Sequence, residues 1–112
     1  MTRSLMITGI GEVLWDVYPD AARFGGAPAN FACHAAALGA DSWMASAVGA
    51  DELGNRALDN LSSAGVQCKT VAQHREHDTG QVLVTIDSSG QASYRFADDS
   101  AWDHLEWSAA LE

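Results

Sequence analysis

The segment FGGAPANF at residues 24–31 constrains the fold more than any other part of the sequence. Gly25 and Gly26 carry no β-carbon, so the backbone there is free to adopt positive φ and to approach a bound molecule closely. Pro28 predicts the start of a helix, because its fixed φ suits the first helical position. Asn30 would then lie in the first turn, beside backbone N–H groups without helical partners. The segment suits a polyhydroxylated or anionic ligand; the alternative is that the two glycines form a simple turn.

Composition indicates one small globular domain. Of the 112 residues, 47% are hydrophobic and 19% charged, which is the balance of a folded chain rather than a disordered one. The formal net charge is −9, spread along the chain, so nucleic acid and anionic membranes are poor partners. No apolar run has the length of a signal-peptide or membrane-spanning segment, which predicts a cytoplasmic location. Cys33 and Cys68 lack the close spacing of a metal or redox pair and are predicted to be reduced thiols.

Short apolar runs alternate with helical patterns in the first two thirds of the chain. We predict a strand at 5–11 buried on both faces, an extended segment at 13–18, a helix at 28–38, a strand at 42–48, a helix from an Asp51 N-cap to Gly65, and a strand at 66–71. The first helix would bury Phe31, Ala35 and Leu38, and the second Leu53, Ala57, Leu61 and Ala64. Such alternation is typical of a parallel sheet covered by helices.

A dinucleotide-binding fingerprint is not supported. Gly9 and Gly11 supply its first two glycines, but Leu14 stands at the third position and the chain there continues as a strand. The motif needs a helix at that point.

The last third of the chain changes character. Residues 81–86 and 91–96 flank a DSSG turn and predict a β-hairpin, with Tyr94 and Phe96 on one side and Arg95 on the other. Residues 101–112 have apolar residues near helical spacing. His74 and His77 could be metal ligands, but a polar loop is the preferred interpretation because the sequence shows no third ligand. Asp16, a carboxylate among bulky apolar residues, could likewise be an ordinary solvated strand residue.

Four motifs together resemble the N-terminal part of the ribokinase/fructokinase-type (pfkB-type) carbohydrate kinase family. They are GEVLWD at 11–16, FGGAPANFA at 24–32, LGA at 38–40 and VGADELG at 48–54. The glycine pair followed by asparagine, with glycines downstream at the family's spacing, is similar to the family's first signature. The DSSG turn and the AWD segment at 101–103 resemble the fructokinase-like branch.

The resemblance implies an α/β fold, with a ribokinase-like doubly wound sheet and a small antiparallel β lid. Residues 1–112 would form the N-terminal part of a single sugar-kinase domain, with lid segments near 13–24 and 80–97. In this family the nucleotide-binding half, including the catalytic base of a Gly-Ala-Gly-Asp motif, lies further along the chain and is absent here.

The family transfers the γ-phosphate of ATP to a sugar hydroxyl, with Mg²⁺ and often a monovalent cation. By position, the resemblance implies that Asp16 accepts hydrogen bonds from sugar hydroxyls, that Gly25 and Gly26 lie against the sugar, and that Asn30 binds another hydroxyl. Carboxylates only accept hydrogen bonds and amides also donate them, which suits these roles. Tyr94 and Arg95 are candidate lid contacts. No catalytic residue or metal ligand is assigned to this chain.

Two positions depart from ribokinase proper. Ala27 stands where ribokinase has a lysine, and Leu14 where it has an asparagine, which favours a fructose-like sugar over ribose. We therefore predict the sugar-binding N-terminal portion of an ATP-dependent, fructokinase-like carbohydrate kinase, inactive by itself. The alternative is a non-catalytic module that binds sugar or forms a homodimer through the lid. A nicotinamide-dependent oxidoreductase is disfavoured by the broken glycine fingerprint.

Overall fold

The structure is a computed structural model and describes residues 5–106. A three-stranded parallel sheet forms its body, in the order β1-β4-β5, and two helices connect these strands. The elements of this body sheet and its helices are β1 (Met6–Ile10), α1 (Ala27–Ala37), β4 (Asp41–Gly49), α2 (Glu52–Ser63) and β5 (Val71–His74). Both helices contribute to one hydrophobic cluster with β4. The predicted α/β class with parallel strands is confirmed.

A second sheet, here called the lid sheet, joins the two segments that were predicted to form a lid. Its strands are β2 (Leu14–Val17), β3 (Ala22–Gly25), β6 (Gly80–Ile86) and β7 (Ala92–Phe96), in the order β3-β2-β6-β7. Both hairpins are antiparallel, while the central strands β2 and β6 run parallel. The lid sheet is therefore mixed, because the two hairpins meet side by side through their first strands.

Helix α1 packs through its alanines. Ala29, Ala32 and Ala35 are buried, and the Ser42 hydroxyl donates a 2.7 Å hydrogen bond to the Ala32 carbonyl. The prediction that α1 buries Phe31 and Leu38 is wrong, because Phe31 is 53% exposed and Leu38 is 89% exposed. Small side chains let the helix approach the sheet closely, so the bulky residues point away from it.

Strand β1 is not buried on both faces as predicted. Met6 and Ile10 are 64% and 67% exposed, while the alternate residue Gly9 is buried. The strand lies at the edge of the body sheet, and α1 covers only the face on which Gly9 lies.

The strand predicted at 66–71 is displaced. Gln67 forms a single bridge with Trp43, and a turn then closes with a 3.0 Å bond from the Val71 N–H to the Cys68 carbonyl. Continuous pairing begins only at Val71, so His74 lies in β5 rather than in the polar connector. In the segment 101–112, where apolar residues lie near helical spacing, the structure shows a 3-10 helix at Ala101–His104; residues 107–112 lie outside the described part.

Helix α2 begins as predicted. Asp51 is its N-cap, and Oδ1 accepts a 2.7 Å bond from the Gly54 N–H and a 2.6 Å bond from the Thr79 hydroxyl. Oδ2 accepts a 3.0 Å bond from the Thr79 N–H, and the Thr79 oxygen accepts one of 2.8 Å from the Gly49 N–H. Gly49 and Gly54 have no room for side chains in this cluster. The network joins the end of β4, the start of α2 and the residue that precedes β6 of the lid sheet.

No helix within residues 5–106 is long and apolar enough to cross a membrane.

We expect Asp51→Asn to lower the free energy of unfolding by about 2 kcal/mol at pH 7, since one amide NH₂ would face a donor and the helix cap is weakened. Burial favours a raised pKa for Asp51, but the hydrogen bonds from Thr79 and Gly54 outweigh it and lower this pKa. The carboxylate therefore stabilises the fold fully above the unfolded-state pKa of about 3.9, and this stabilisation is lost as the pH falls through the folded-state pKa.

Urea unfolding of both proteins from pH 7 down to pH 3 measures this difference. Asp59→Asn is the matched control, because Asp59 is exposed on the same helix; it should change the free energy by no more than about 0.5 kcal/mol. A wild-type advantage over Asp51→Asn that is unchanged at pH 3 would contradict the assigned hydrogen bonds.

Candidate functional site

The start of α1 lies against the carboxyl end of β1. A β-carbon added to Gly9 would come within 2.7 Å of the Pro28 carbonyl oxygen, and one added to Gly11 within 3.0 Å of Pro28 Cγ. The Ser46 hydroxyl fixes the same corner with a 2.5 Å bond to the Gly11 carbonyl. In open α/β sheets ligands bind outside the carboxyl ends of the strands. The segment singled out in the sequence is therefore placed at the edge where a ligand is expected.

Asp16 and Gly25 lie close together across the β2–β3 hairpin. Leu14 pairs with Gly25, and Asp16 with Arg23. A β-carbon at Gly25 would be 3.5 Å from Asp16 Oδ2, so the carboxylate leans over the bare backbone of the glycine. The two residues are nine positions apart in sequence, and only the hairpin register brings them together.

Gly26 forms the turn between β3 and α1. Its φ is 104° and ψ 126°, and it is the N-cap residue of the helix. An added β-carbon would lie 2.8 Å from the Glu12 carbonyl oxygen and 3.3 Å from Glu12 Cγ. Both the backbone conformation and the lack of space require glycine here.

Asn30 lies one turn into α1. Its N–H donates a 2.9 Å bond to the Gly26 carbonyl, and the residue is exposed. The N-terminus of α1 has no side-chain cap and no acidic residue in its first turn. The amide of Asn30 and the helix N-terminus are thus accessible to a ligand from the same end of the helix.

The Asp16 carboxylate is not used in an ion pair. Arg23 is its cross-strand partner, but the Arg23 guanidinium lies over the Tyr18 ring, 5.2 Å from its centroid. The close contacts between a carboxylate and a basic side chain in the described part of the chain join Asp99 to His77 and His104. Asp16 is half-buried and keeps its oxygens available to accept hydrogen bonds.

Trp15 anchors β2 from the opposite face. It is 2% exposed, and its indole N–H donates a 3.0 Å bond to the Leu53 carbonyl. The Phe24 ring meets it edge-on at 5.3 Å, and the Arg56 guanidinium lies 4.7 Å from its ring centroid. These contacts hold the strand that carries Asp16 against α2.

The strand registers show which lid residues share a face with Asp16. Arg23, Asp16, Val82 and Phe96 are successive partners across the four strands and form one row. Tyr94 pairs with Val84 in the neighbouring row of the same face. Arg95 pairs with Leu83 and so lies on the other face, because side chains alternate along a strand. Of the two candidate lid contacts, only Tyr94 faces the same way as Asp16.

Two residues near the site were not identified from the sequence. Glu12 borders Gly26, and Phe96, which is 59% exposed, lies directly in the row of Asp16. Glu12 could have been identified from the sequence, because it directly follows the first predicted strand. The position of Phe96 depends on the pairing of β2 with β6, which the sequence does not reveal.

The arrangement offers an acceptor-only carboxylate, an amide that both donates and accepts, and two glycines without side chains, of which Gly25 is buried and Gly26 half-buried. Adjacent hydroxyl groups need this mixture of donors and acceptors. A phosphate group fits less well, because the carboxyl group of Asp51 already occupies the N-terminus of α2 and the N-terminus of α1 adjoins Glu12 and Asp16. The site favours a neutral polyhydroxylated ligand.

Comparison with known proteins gives a family match. Residues 20–109 match the family described as "pfkB family carbohydrate kinase". Fructokinase-2 from Oryza sativa subsp. japonica is 30% identical over 95% of this chain, which covers 35% of that protein. The chain therefore spans about a third of the length of the curated relatives it matches.

Solved structures show the same fold. The apo fructokinase of Vibrio cholerae O395 superposes with a TM-score of 0.80 at 28% identity, covering 89% of this chain and 36% of that one. An uncharacterized sugar kinase from Pyrococcus horikoshii, solved in complex with ATP, superposes with a TM-score of 0.78 at 28% identity, covering 92% of this chain and 39% of that one.

We expect Gly26→Ala to lower the free energy of unfolding by about 3 kcal/mol, from an unfavourable backbone conformation plus overlap with the Glu12 carbonyl. Gly39→Ala is the matched control: its φ is 94°, but nothing lies within 4 Å of an added β-carbon. Gly39→Ala should lower the free energy of unfolding by only about 1 kcal/mol. Chemical denaturation of both variants measures the two losses in free energy of unfolding. Equal losses would show that the Glu12 carbonyl does not restrict which residue fits at position 26.

Proposed function

Because the chain belongs to the pfkB family of carbohydrate kinases, we propose that it supplies the sugar-binding wall of an ATP-dependent, fructokinase-like kinase. Asp16 accepts hydrogen bonds from sugar hydroxyls, the backbone of Gly25 and Gly26 lies against the sugar, and Asn30 binds a further hydroxyl. The observation that carries this proposal is the 3.5 Å approach of Asp16 Oδ2 to the β-carbon position of Gly25. It sets an available carboxylate beside a bare stretch of backbone.

A fructose-like sugar is the proposed substrate. Ala27 and Leu14 replace the lysine and asparagine of ribokinase proper, and both lie close to the site: Ala27 begins α1 and Leu14 pairs with Gly25. Neither side chain can donate or accept a hydrogen bond. The names of the rice and Vibrio relatives support the same choice.

The lid sheet is proposed to close over the sugar. Ile86, Tyr94 and Phe96 lie on the face that carries Asp16 and are 60%, 66% and 59% exposed. An apolar surface that closes over a bound sugar would exclude water, and in a kinase water competes with the sugar for the phosphoryl group.

ATP and Mg²⁺ are proposed for the complete enzyme, together with a monovalent cation as the resemblance implies. The residues described here do not fit the phosphates of ATP, because one helix N-terminus is occupied by the Asp51 carboxylate and the other adjoins two acidic residues. Asp99 is not positioned as a catalytic base either, since it contacts His77 and His104. We therefore derive no step of phosphoryl transfer from this chain.

The alternative function is a non-catalytic module that binds sugar or forms a homodimer through the lid. The exposed patch of Ile86, Tyr94 and Phe96 favours this alternative, because clustered apolar side chains on a sheet commonly mark an interface. The same surface could cover a sugar in one copy and contact a second copy, so the two functions are compatible.

We expect the purified 112-residue chain to bind fructose with a dissociation constant in the range of about 1 mM or weaker, since only one wall of the site is present. Asp16→Ala should weaken binding by about tenfold or more, because it removes a charged hydrogen-bond acceptor. Asp20→Ala, on the exposed turn of the same hairpin, should leave binding unchanged. Saturation-transfer NMR with fructose and ribose measures these affinities.

The same samples, given ATP and Mg²⁺, should release no sugar-dependent ADP. ADP release by the chain alone would overturn the assignment of phosphoryl transfer to the complete enzyme. Equal binding by wild-type protein and Asp16→Ala would overturn the sugar site itself.

If the lid patch forms a homodimer, sedimentation velocity should show a dimer that Ile86→Lys dissociates. Thr85→Lys is the matched control, because Thr85 is an exposed residue on the opposite face of β6. A wild-type protein that sediments only as a monomer at about 100 μM, a concentration that would populate a dimer held at micromolar affinity, excludes the homodimer.

A further inference from the structure

Three metal-binding side chains converge at the junction between the two sheets, outside the sugar site. His77 lies in the loop between β5 and β6, Asp99 follows β7, and His104 ends the 3-10 helix. One ligand atom from each lies within 4.8 Å of the other two. His77 Nδ1 is 3.2 Å from Asp99 Oδ2, and His104 Nε2 is 2.5 Å from Asp99 Oδ1.

The His77 nitrogen lacks a hydrogen-bond partner. Nδ1 is buried, and no donor or acceptor in the described structure meets it with hydrogen-bonding geometry; the Asp99 carboxylate lies 3.2 Å away but without that geometry. A buried polar atom left unpaired costs about 1–3 kcal/mol. A cation bound at this nitrogen would satisfy it.

The two imidazoles are held in place by packing. The rings of His77 and His104 are stacked, with centroids 3.6 Å apart and planes 7° from parallel. His74 meets them edge-on at 5.5 Å and 6.3 Å, and its Nε2 is 3.0 Å from the His104 carbonyl. The stacked rings present Nδ1 of one and Nε2 of the other to the same carboxylate.

Asp99 is held in an uncommon conformation. Its φ of 56° makes it the one non-glycine residue with positive φ among residues 5–106. Downstream, the Ala101 N–H donates a 2.8 Å bond to the Asp78 carbonyl and fixes the loop against that of His77.

We propose that His77 Nδ1, Asp99 and His104 Nε2 bind a divalent transition-metal ion, of which Zn²⁺ fits best. Two imidazoles and a carboxylate are a typical donor set for Zn²⁺, whereas Mg²⁺ prefers oxygen ligands alone. Donor atoms bound to one tetrahedral ion at about 2.0–2.2 Å lie roughly 3.3–3.5 Å apart, so Asp99 Oδ1, which is 2.5 Å from His104 Nε2, has to move back from that nitrogen when the ion binds. Rotation of the exposed Asp99 side chain can supply that movement, and the two stacked rings must tilt apart so that both nitrogens point at the same ion.

The bound ion would tie together the segment that enters the β6–β7 hairpin of the lid sheet and the segment that leaves it. The loop at 75–79 leads from β5 into β6, and the segment at 97–100 leads from β7 to the 3-10 helix. An ion bridging His77 and Asp99 would restrain both connections at once, and would thereby limit movement of the lid sheet. The proposal does not depend on which sugar is bound.

Isothermal titration of the tag-free chain with ZnCl₂ tests the proposal. We expect one ion per chain, with no competition from Mg²⁺ at the same concentration. His77→Ala, His104→Ala and Asp99→Asn should each weaken binding by at least about tenfold, a loss that even outer-shell substitutions produce. His34→Ala and Asp98→Asn are matched controls, since both residues are exposed and lie outside the cluster; they should bind Zn²⁺ as the wild type does.

A measurement on the unmutated protein keeps the test independent of variant folding. Long-range ¹H–¹⁵N spectra should show Zn²⁺ shifting the imidazole nitrogens of His77 and His104 but not those of His34. The absence of Zn²⁺ binding would overturn the proposal. So would binding that survives all three substitutions, or binding that is lost only in Cys33→Ser or Cys68→Ser, because the ion would then be held by the thiols.

Discussion

The turn at Gly26 is the constraint on which the candidate site depends. It must reverse the chain from β3 into α1 while its backbone passes against the Glu12 carbonyl, and only glycine has both the conformation and the space for this. The close approach of Pro28 to Gly9 then fixes the start of α1 over the end of β1. Once both contacts are made, Gly25 is held beside Asp16, and Asn30 lies at the end of the first turn of α1. The site is thus a result of backbone packing rather than of side-chain contacts.

A second set of contacts, made of hydrogen bonds, fixes the position of the lid sheet relative to the body sheet. The Asp51 carboxylate caps α2 and accepts hydrogen bonds from Thr79, immediately before the first residue of β6. Trp15 of β2 also attaches the lid sheet to α2, because its indole N–H donates a hydrogen bond to the Leu53 carbonyl. The lid sheet is therefore joined to the body at two polar contacts with one helix, and the histidine cluster lies at the same junction. This gives the lid a defined orientation above the carboxyl edge of the body sheet.

Local signals in the sequence predicted the parts of the structure that local chemistry determines. The DSSG turn predicted the β6–β7 hairpin, and Asp51 predicted the start of α2. Long-range packing determined the rest. Phe31 and Leu38 are exposed because α1 uses alanines to approach the sheet, and β5 begins late because a turn at Cys68 interrupts its pairing. His77 had no visible third ligand because Asp99 and His104 are distant in sequence. The grouping of Asp16 with Gly25 and Gly26 was predicted from the family resemblance. The register of the β2–β3 hairpin gives the physical reason why Asp16 lies beside Gly25.

The most direct test of the proposed sugar-binding wall is a ¹H–¹⁵N NMR titration of the 112-residue chain with fructose. We expect concentration-dependent shifts of the backbone amides of Asp16, Gly25 and Gly26 and of the side-chain amide of Asn30, while the exposed turn at 87–90 stays unchanged. Saturable shifts confined to any other surface, or no shifts at sugar concentrations up to about 100 mM, far above the millimolar affinity expected of one wall, would contradict it.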